Sequence, residues 1–178
     1  MALLSLFVFN MDLEARKTWA TGKHGIKVLI LCTGNTCRSP MAEIMFRHLL
    51  ESEDIEGINV SSAGIKANEG APISEYAVKA MSSRGIRDAS NHSARQLTKD
   101  IFKKADLIVP LSSFIESDVE DMFGEDKKIV GFGSKLLGTE NVKDPYGQTL
   151  YEYDEACGKI ETNLPKVIRY ISKNIRKI

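Results

Sequence analysis

The sequence predicts one α/β/α domain, in which a four-stranded parallel sheet lies between two layers of helices. Four short apolar runs have the length and residue content of buried strands, and amphipathic helical patterns separate them. A helix follows each predicted strand, as expected when parallel strands are joined by crossovers. The length agrees with this fold, because 178 residues with 43% hydrophobic residues suffice for one core.

Local patterns place each element along the chain. Strands are predicted at residues 26–31, 57–62, 107–111 and 129–132. Helices are predicted at residues 40–50, 74–84, 98–104, 113–122 and 150–175. Ser74 is placed to cap the second helix, and Gly85 is placed to end it.

Charge and cysteine content argue against several classes of function. The 24 basic and 24 acidic residues balance, so the charge gives no sign of a nucleic-acid partner. No apolar run is long enough to suggest a membrane span. Three cysteines do not make a disulfide framework, which indicates a reducing, cytoplasmic location. Residues 1–24 are expected to be an N-terminal extension of unknown role, and residues 25–178 a single domain.

One loop carries most of the chemistry. Cys32 ends the first predicted strand, and the sequence then runs through Thr33, Gly34, Asn35, Thr36, Cys37, Arg38, Ser39 and Pro40. Backbone N–H groups of such a loop, together with the following helix dipole, form an anion site. The dipole and Arg38 favour the thiolate form of Cys32, a strong nucleophile. The planar Arg38 guanidinium can bind two phosphoryl oxygens at once.

The smaller residues of this loop are also suited to an anion site. Gly34 permits a tight turn, and Asn35 tolerates a left-handed backbone conformation. The Ser39 hydroxyl can donate to Cys32 and stabilise the thiolate as a leaving group. Each residue alone is compatible with a purely structural role, but their joint spacing after a strand favours a phosphate site. A zinc site on Cys32 and Cys37 is disfavoured, because no second pair of ligands follows at suitable spacing.

A candidate proton donor lies near the end of the chain. Hydrolysis of a phosphate ester or phosphoramidate needs a proton for the leaving group, and Asp144 is the best candidate. An Asp-Pro pair alone is typical of a turn, but its combination with the cysteine loop favours the acid role. Tyr146 is expected to form one wall of the cleft. His92 by itself is typical of a structural histidine.

From about residue 26 to residue 178 the chain resembles the low-molecular-weight protein phosphatases. The motifs occur in the order of that family: residues 32–40, 61–64, 92–97 and 144–147. The resemblance implies a flavodoxin-like strand order 2-1-3-4. It implies a phosphocysteine on Cys32, phosphoryl binding by Arg38, and Asp144 as the acid that later activates water. It also implies a supporting network of Asn35, Ser39, Ser62 and His92.

Further implications of the resemblance concern ligands. The substrate-binding residues are expected to be Thr33, Gly34, Asn35, Thr36, Cys37 and Tyr146. The partner is expected to be a phosphorylated protein. The enzyme is expected to be a monomer or a weak homodimer and to bind phosphate-like anions. No metal or organic cofactor is implied. In the family the second loop cysteine, here Cys37, forms a reversible disulfide with the nucleophile. Two features depart from the family pattern: residues 1–24, and residues 110–112, where many members have a methionine.

The sequence does not decide whether the substrate is phosphotyrosine or phosphoarginine. Thr36 stands where many tyrosine-directed members have a bulkier apolar residue, and it resembles the bacterial branch that hydrolyses phosphoarginine. Against this, Tyr146 can stack on phosphotyrosine. A thiol-dependent arsenate reductase is a minor alternative, because such enzymes need further cysteines and none lies between Cys37 and Cys157. A non-catalytic phosphate-binding module is disfavoured, because Cys32 and Asp144 are both present.

Overall fold

Among the residues that the structure describes, three parallel strands form the sheet at the centre of the fold. The computed structural model describes residues 25–87, 89 and 91–175, so the extension expected at residues 1–24 lies outside the described residues. The strands are β1 (Ile26–Cys32), β2 (Ile58–Gly64) and β3 (Leu107–Pro110). They are parallel and lie in the order β2-β1-β3, which confirms the 2-1-3 part of the expected order.

Five helices surround the sheet in the described part of the chain. They are α1 (Arg38–Ser52), α2 (Glu75–Ser82), α3 (Lys99–Lys104), α4 (Ser113–Phe123) and α5 (Leu150–Asn174). Helix α1 begins at Arg38, two residues before the predicted start, so that Arg38 and Ser39 lie in its first turn. None of the described helices combines the length and apolar content needed to cross a bilayer.

Both faces of the sheet are covered, because side chains of β1 alternate between two apolar cores. Val28 and Ile30 belong to the larger core, which also takes in residues of α1, α2 and α5. Leu29 and Leu31 belong to the smaller core, with residues of α3 and α4. This explains why the first strand is an unbroken apolar run: a parallel strand between two helical layers exposes neither face to water.

The predicted fourth strand is wrong in the described structure, and Pro110 gives the physical reason. Residues 129–132 lie beside β3, but they form only an isolated bridge between Ile108 and Ile129. Backbone bonds join Ile108 N to Lys128 O, Val130 N to Ile108 O and Phe132 N to Pro110 O. The next bond of a parallel ladder would need an N–H at position 110, which proline lacks. The ladder is interrupted there, so the sheet has three strands.

The carboxyl ends of the strands meet at one edge of the sheet. Cys32, the last residue of β1, pairs with Gly64, the last residue of β2. Leu31 pairs with Pro110 at the end of β3. A bond of 2.9 Å from Val142 N to Leu111 O brings the segment before α5 to this same edge. Ligands of open parallel sheets bind at such an edge.

Candidate active site

The loop between β1 and α1 is wound tightly over the carboxyl edge of the sheet. Asn35 adopts a left-handed conformation with a φ of 55°, as expected for this residue type. Gly64 makes the close approach of the loop possible, because a Cβ there would lie 2.6 Å from the Thr33 carbonyl oxygen. Sequence analysis missed this requirement, although a glycine at the end of a strand is its usual signal.

The Cys32 thiol lies beneath this loop, with only 2% of the residue exposed. Its Sγ is 3.0 Å from the Ser39 Oγ, and it accepts a hydrogen bond of 3.3 Å from the Asn35 backbone N–H. Hydrogen-bond donors and the amino end of α1 therefore surround the sulfur. Such surroundings stabilise a thiolate, which is the nucleophilic form of cysteine.

Asn35 is the centre of a buried network under the loop. Its Nδ2 donates to the Ser39 Oγ and to the Ser62 Oγ, each at 2.8 Å. The His92 Nε2–H donates to the Asn35 backbone carbonyl at 2.8 Å. The structure therefore brings together all four residues expected in the supporting network. Asn35 itself has no exposed surface, so its side chain does not reach the cleft where a substrate would bind.

Two members of this network were missed from the sequence. The Ser62 hydroxyl donates to Glu43 Oε2 at 2.5 Å, and the Glu43 side chain is only 12% exposed. The Arg95 backbone N–H donates to Asn35 Oδ1 at 3.0 Å, while its Nε–H donates to the Ser62 carbonyl. Glu43 follows Ser39 by four residues and so shares its helix face, which was the available signal.

Arg38 and Asp144 form an ion pair at the mouth of the site. The Arg38 Nη2 donates to Asp144 Oδ2 at 2.5 Å and to the Thr33 Oγ1 at 3.1 Å. The Nη1 donates to the Val142 carbonyl at 3.3 Å. The Tyr146 backbone N–H donates to the other oxygen of Asp144, which fixes the orientation of the carboxylate. The Arg38 side chain is 5% exposed and that of Asp144 is 45% exposed, so the aspartate faces the open side.

A cleft of about 340 Å³ connects these groups. Its walls include eight of the residues proposed from the sequence: Cys32, Thr33, Gly34, Thr36, Cys37, Arg38, Asp144 and Tyr146. The Tyr146 ring is largely exposed at the rim. Lys66, Asn68 and Ala71 also line the cleft, although none of them was among the predicted site residues. The cleft thus contains a thiol, a guanidinium and a carboxyl group.

The other two cysteines are buried as Cys32 is, but no backbone N–H of the described residues donates to their sulfur atoms. Burial raises the pKa of the Cys37 thiol above its ordinary value. Burial also raises the pKa of Cys157 to about 11. Both groups therefore remain protonated at neutral pH, and neither competes with Cys32 as a nucleophile.

Comparison with known proteins places this geometry in a family. A protein-arginine-phosphatase of Bacillus subtilis strain 168 is 30% identical over 152 residues, which cover 84% of this chain and 97% of that protein. A probable low molecular weight protein-tyrosine-phosphatase of Ralstonia nicotianae, EpsP, is 34% identical over 134 residues, covering 75% and 88% of the two chains. A solved YwlE arginine phosphatase mutant with a phosphorylated active-site serine matches with a TM-score of 0.76 and 28% identity, covering 84% of this chain and 97% of that one.

The family match extends over nearly the whole of the described structure. It spans residues 27–177, from the start of β1 to beyond the end of α5. The cysteine loop, the buried network and the Arg38–Asp144 pair all fall inside it. This chain belongs to the low molecular weight phosphotyrosine protein phosphatase family.

Proposed function

We propose that this enzyme removes phosphoryl groups from phosphotyrosine or phosphoarginine of proteins through a phosphocysteine on Cys32. The observation that carries this proposal is the shared cleft: the Cys32 sulfur lies at its base, and Arg38 and Asp144 meet 2.5 Å apart in its wall. Hydrolysis needs a nucleophile, an anion-binding group and a proton donor, and these three residues supply them. The phosphorylated active-site serine of the YwlE mutant supports a covalent route.

In the first step the Cys32 sulfur attacks phosphorus while Arg38 binds the phosphoryl oxygens. The bond between phosphorus and the leaving oxygen or nitrogen breaks, and Asp144 protonates that atom. In the second step Asp144, now a carboxylate, takes a proton from water, and the water oxygen attacks phosphorus. The sulfur–phosphorus bond breaks, and Ser39, whose Oγ lies 3.0 Å from the sulfur, donates to the departing thiolate.

The hydrogen bonds of Arg38 are compatible with phosphoryl binding. A guanidinium has five N–H donors, and described residues accept three from Arg38. The Nε–H and one Nη1–H have no acceptor among the described residues and can donate to phosphoryl oxygens. A phosphoryl dianion also competes with Asp144 for Nη2. Once Arg38 releases it, the Asp144 carboxylate can take up a proton from solvent and then donate that proton to the leaving atom.

Thr36 supports phosphoarginine as a substrate. It lines the cleft, and a Cβ placed on Gly34 would lie 3.6 Å from the Thr36 Oγ1. In this proposal the Thr36 hydroxyl forms a hydrogen bond with a polar guanidinium phosphate in the cleft. The exposed Tyr146 ring supports phosphotyrosine instead, since it can stack on a phenyl ring. Both substrates are therefore retained in the proposal.

Replacing Thr36 with isoleucine is expected to lower the ratio of phosphoarginine to phosphotyrosine hydrolysis. When a site loses a polar group that faces a polar substrate, kcat/KM for that substrate falls by about tenfold or more relative to a less polar competitor. The measurement is kcat/KM on matched phosphoarginine and phosphotyrosine peptides for wild type and Thr36→Ile. An unchanged ratio would remove Thr36 from the argument on specificity.

The arsenate reductase alternative has less support from the structure. Cys157, the cysteine outside the loop, is fully buried, and its Sγ lies 3.4 Å from Met45 Sδ. Neither residue lines the cleft, so Cys157 is not placed to accept a disulfide from the loop. The deciding experiment compares wild-type rates on phosphotyrosine, phosphoarginine and arsenate, with Cys32→Ser and Asp144→Asn as controls. Hydrolysis of a phosphoryl substrate without arsenate reduction is the expected result, and the reverse would overturn the proposal.

A further inference from the structure

Four residues close a hydrogen-bonded ring behind the wall of the cleft. The Ser74 backbone N–H donates to the Thr36 carbonyl at 2.9 Å, and the Ser74 hydroxyl donates to the Tyr153 Oη at 3.1 Å. The Tyr153 Oη lies 3.2 Å from the Cys37 Sγ, which in turn lies 3.6 Å from the Thr36 Oγ1. The hydrogen-bonded ring of Thr36, Cys37, Ser74 and Tyr153 thus begins and ends at the same threonine.

Ser74 departs from its expected role in order to join this ring. It occupies the N-cap position of α2, yet its side chain makes no capping hydrogen bond. A serine at this position ordinarily accepts from a backbone N–H of the first turn. Here the hydroxyl is directed to the Tyr153 phenol on α5 instead. The predicted cap position of Ser74 is confirmed, but the capping hydrogen bond that a serine side chain ordinarily makes there is absent.

Burial keeps the protons of the ring in place. Tyr153 is 3% exposed and Cys37 is 4% exposed. Burial, together with the hydrogen bond to Cys37, raises the pKa of Tyr153 to about 12, so its O–H is retained at neutral pH. With Ser74 donating to its oxygen, the Tyr153 O–H is left to donate to the Cys37 sulfur. The Cys37 S–H can then donate to the Thr36 oxygen, which leaves the Thr36 O–H for the cleft.

We infer that Tyr153 is a positioning residue, which sets substrate preference by holding the Thr36 side chain through Cys37 and Ser74. This inference rests on the proposed phosphatase function. It assigns to the C-terminal helix a part in substrate selection, although Tyr153 does not line the cleft. Loss of the phenol hydroxyl removes the shorter of the two hydrogen bonds of the Cys37 thiol, and the Thr36 hydroxyl that contacts this thiol then loses its fixed orientation.

The test compares Tyr153→Phe with Tyr76→Phe as a matched control. The Tyr76 ring packs edge-on against Tyr153 with centroids 5.7 Å apart, and its hydroxyl has no hydrogen-bond partner among the described residues. The measurements are kcat/KM on phosphoarginine peptide, phosphotyrosine peptide and p-nitrophenyl phosphate. Tyr153→Phe is expected to lower the phosphoarginine to phosphotyrosine ratio about tenfold, because the Thr36 hydroxyl would lose its proposed hydrogen bond to phosphoarginine. Tyr76→Phe is expected to leave the ratio within about twofold.

A double-mutant cycle identifies the route of the effect. In a Thr36→Val background, Tyr153→Phe is expected to change the ratio no further, because the positioned hydroxyl is already absent. Ser74→Ala breaks the same ring without altering the core, so it decides the question if Tyr153→Phe does not fold. The inference would be overturned if Tyr153→Phe and Ser74→Ala left the phosphoarginine to phosphotyrosine ratio unchanged, or if the shift persisted in the Thr36→Val background. Neither result would affect the proposed phosphatase function. A wild-type protein inactive on all three substrates would overturn the proposed function together with the inference.

Discussion

Replacing Cys32 with serine is expected to lower the turnover of every phosphoryl substrate by at least about 10³-fold. A serine hydroxyl is not ionised at neutral pH, and the nearest side-chain oxygen, that of Ser39, is a hydroxyl rather than a base. The matched control is Cys157→Ser, which makes the same chemical change at a buried cysteine away from the cleft. The measurement is the steady-state rate of both variants on a phosphotyrosine peptide.

Binding measurements separate this loss from misfolding. The loop N–H groups and Arg38 remain in Cys32→Ser, so the variant is expected to bind inorganic phosphate as wild type does. Calorimetric titration with phosphate checks this. Turnover within about tenfold of wild type in a folded Cys32→Ser protein would contradict the nucleophilic role, since loss of a nucleophile costs far more.

Replacing Asp144 with asparagine is expected to lower the rate about 10²- to 10³-fold for substrates with a poor leaving group. Asparagine keeps the shape and can still accept from Arg38, but it has no proton to give to the leaving atom. A leaving group that is already stable as an anion needs no such proton, so p-nitrophenyl phosphate is expected to lose less. The measurement is kcat/KM, which reports the step in which the leaving group departs, across a series of aryl phosphates that differ in leaving-group basicity.

The control for Asp144→Asn is a carboxylate away from the cleft. Asp121 lies exposed on α4 and does not line the cleft, so Asp121→Asn makes the same change in charge without touching the site. Its rate is expected to stay within about twofold of wild type, as for ordinary surface substitutions. An equal loss across all leaving groups in Asp144→Asn would show that Asp144 acts in binding or folding and not as the proton donor.

The site was largely predictable where its chemistry lies within one short segment. Cys32, Arg38 and Ser39 are brought together by a strand, a loop and the first turn of a helix, so local sequence suffices. The positive φ of Asn35 likewise follows from the residue type. Arg38 and Asp144 are 106 residues apart, and the sequence predicted that both serve one site without predicting the ion pair between them.

What the sequence did not predict depends on backbone groups and on long-range contacts. The fourth strand fails because one proline removes one N–H, and its apolar pattern alone does not show where that donor is needed. Glu43 and Ser74 resemble ordinary surface and capping residues until their partners, Ser62 and Tyr153, are known. Gly64 is required by the approach of the Thr33 carbonyl, which is set by the pairing of β1 with β2.

The most direct measurement of the central claim is rapid-quench trapping of the enzyme during turnover of a phosphotyrosine or phosphoarginine peptide. Wild-type protein is mixed with substrate, quenched within milliseconds, digested, and analysed by mass spectrometry. The account predicts one phosphoryl group on the peptide that contains Cys32. In Asp144→Asn with p-nitrophenyl phosphate as substrate, the amount of this phosphocysteine is expected to increase, because the second step is slowed. Turnover without sulfur-bound phosphate on Cys32, or with phosphate on another residue, would contradict it.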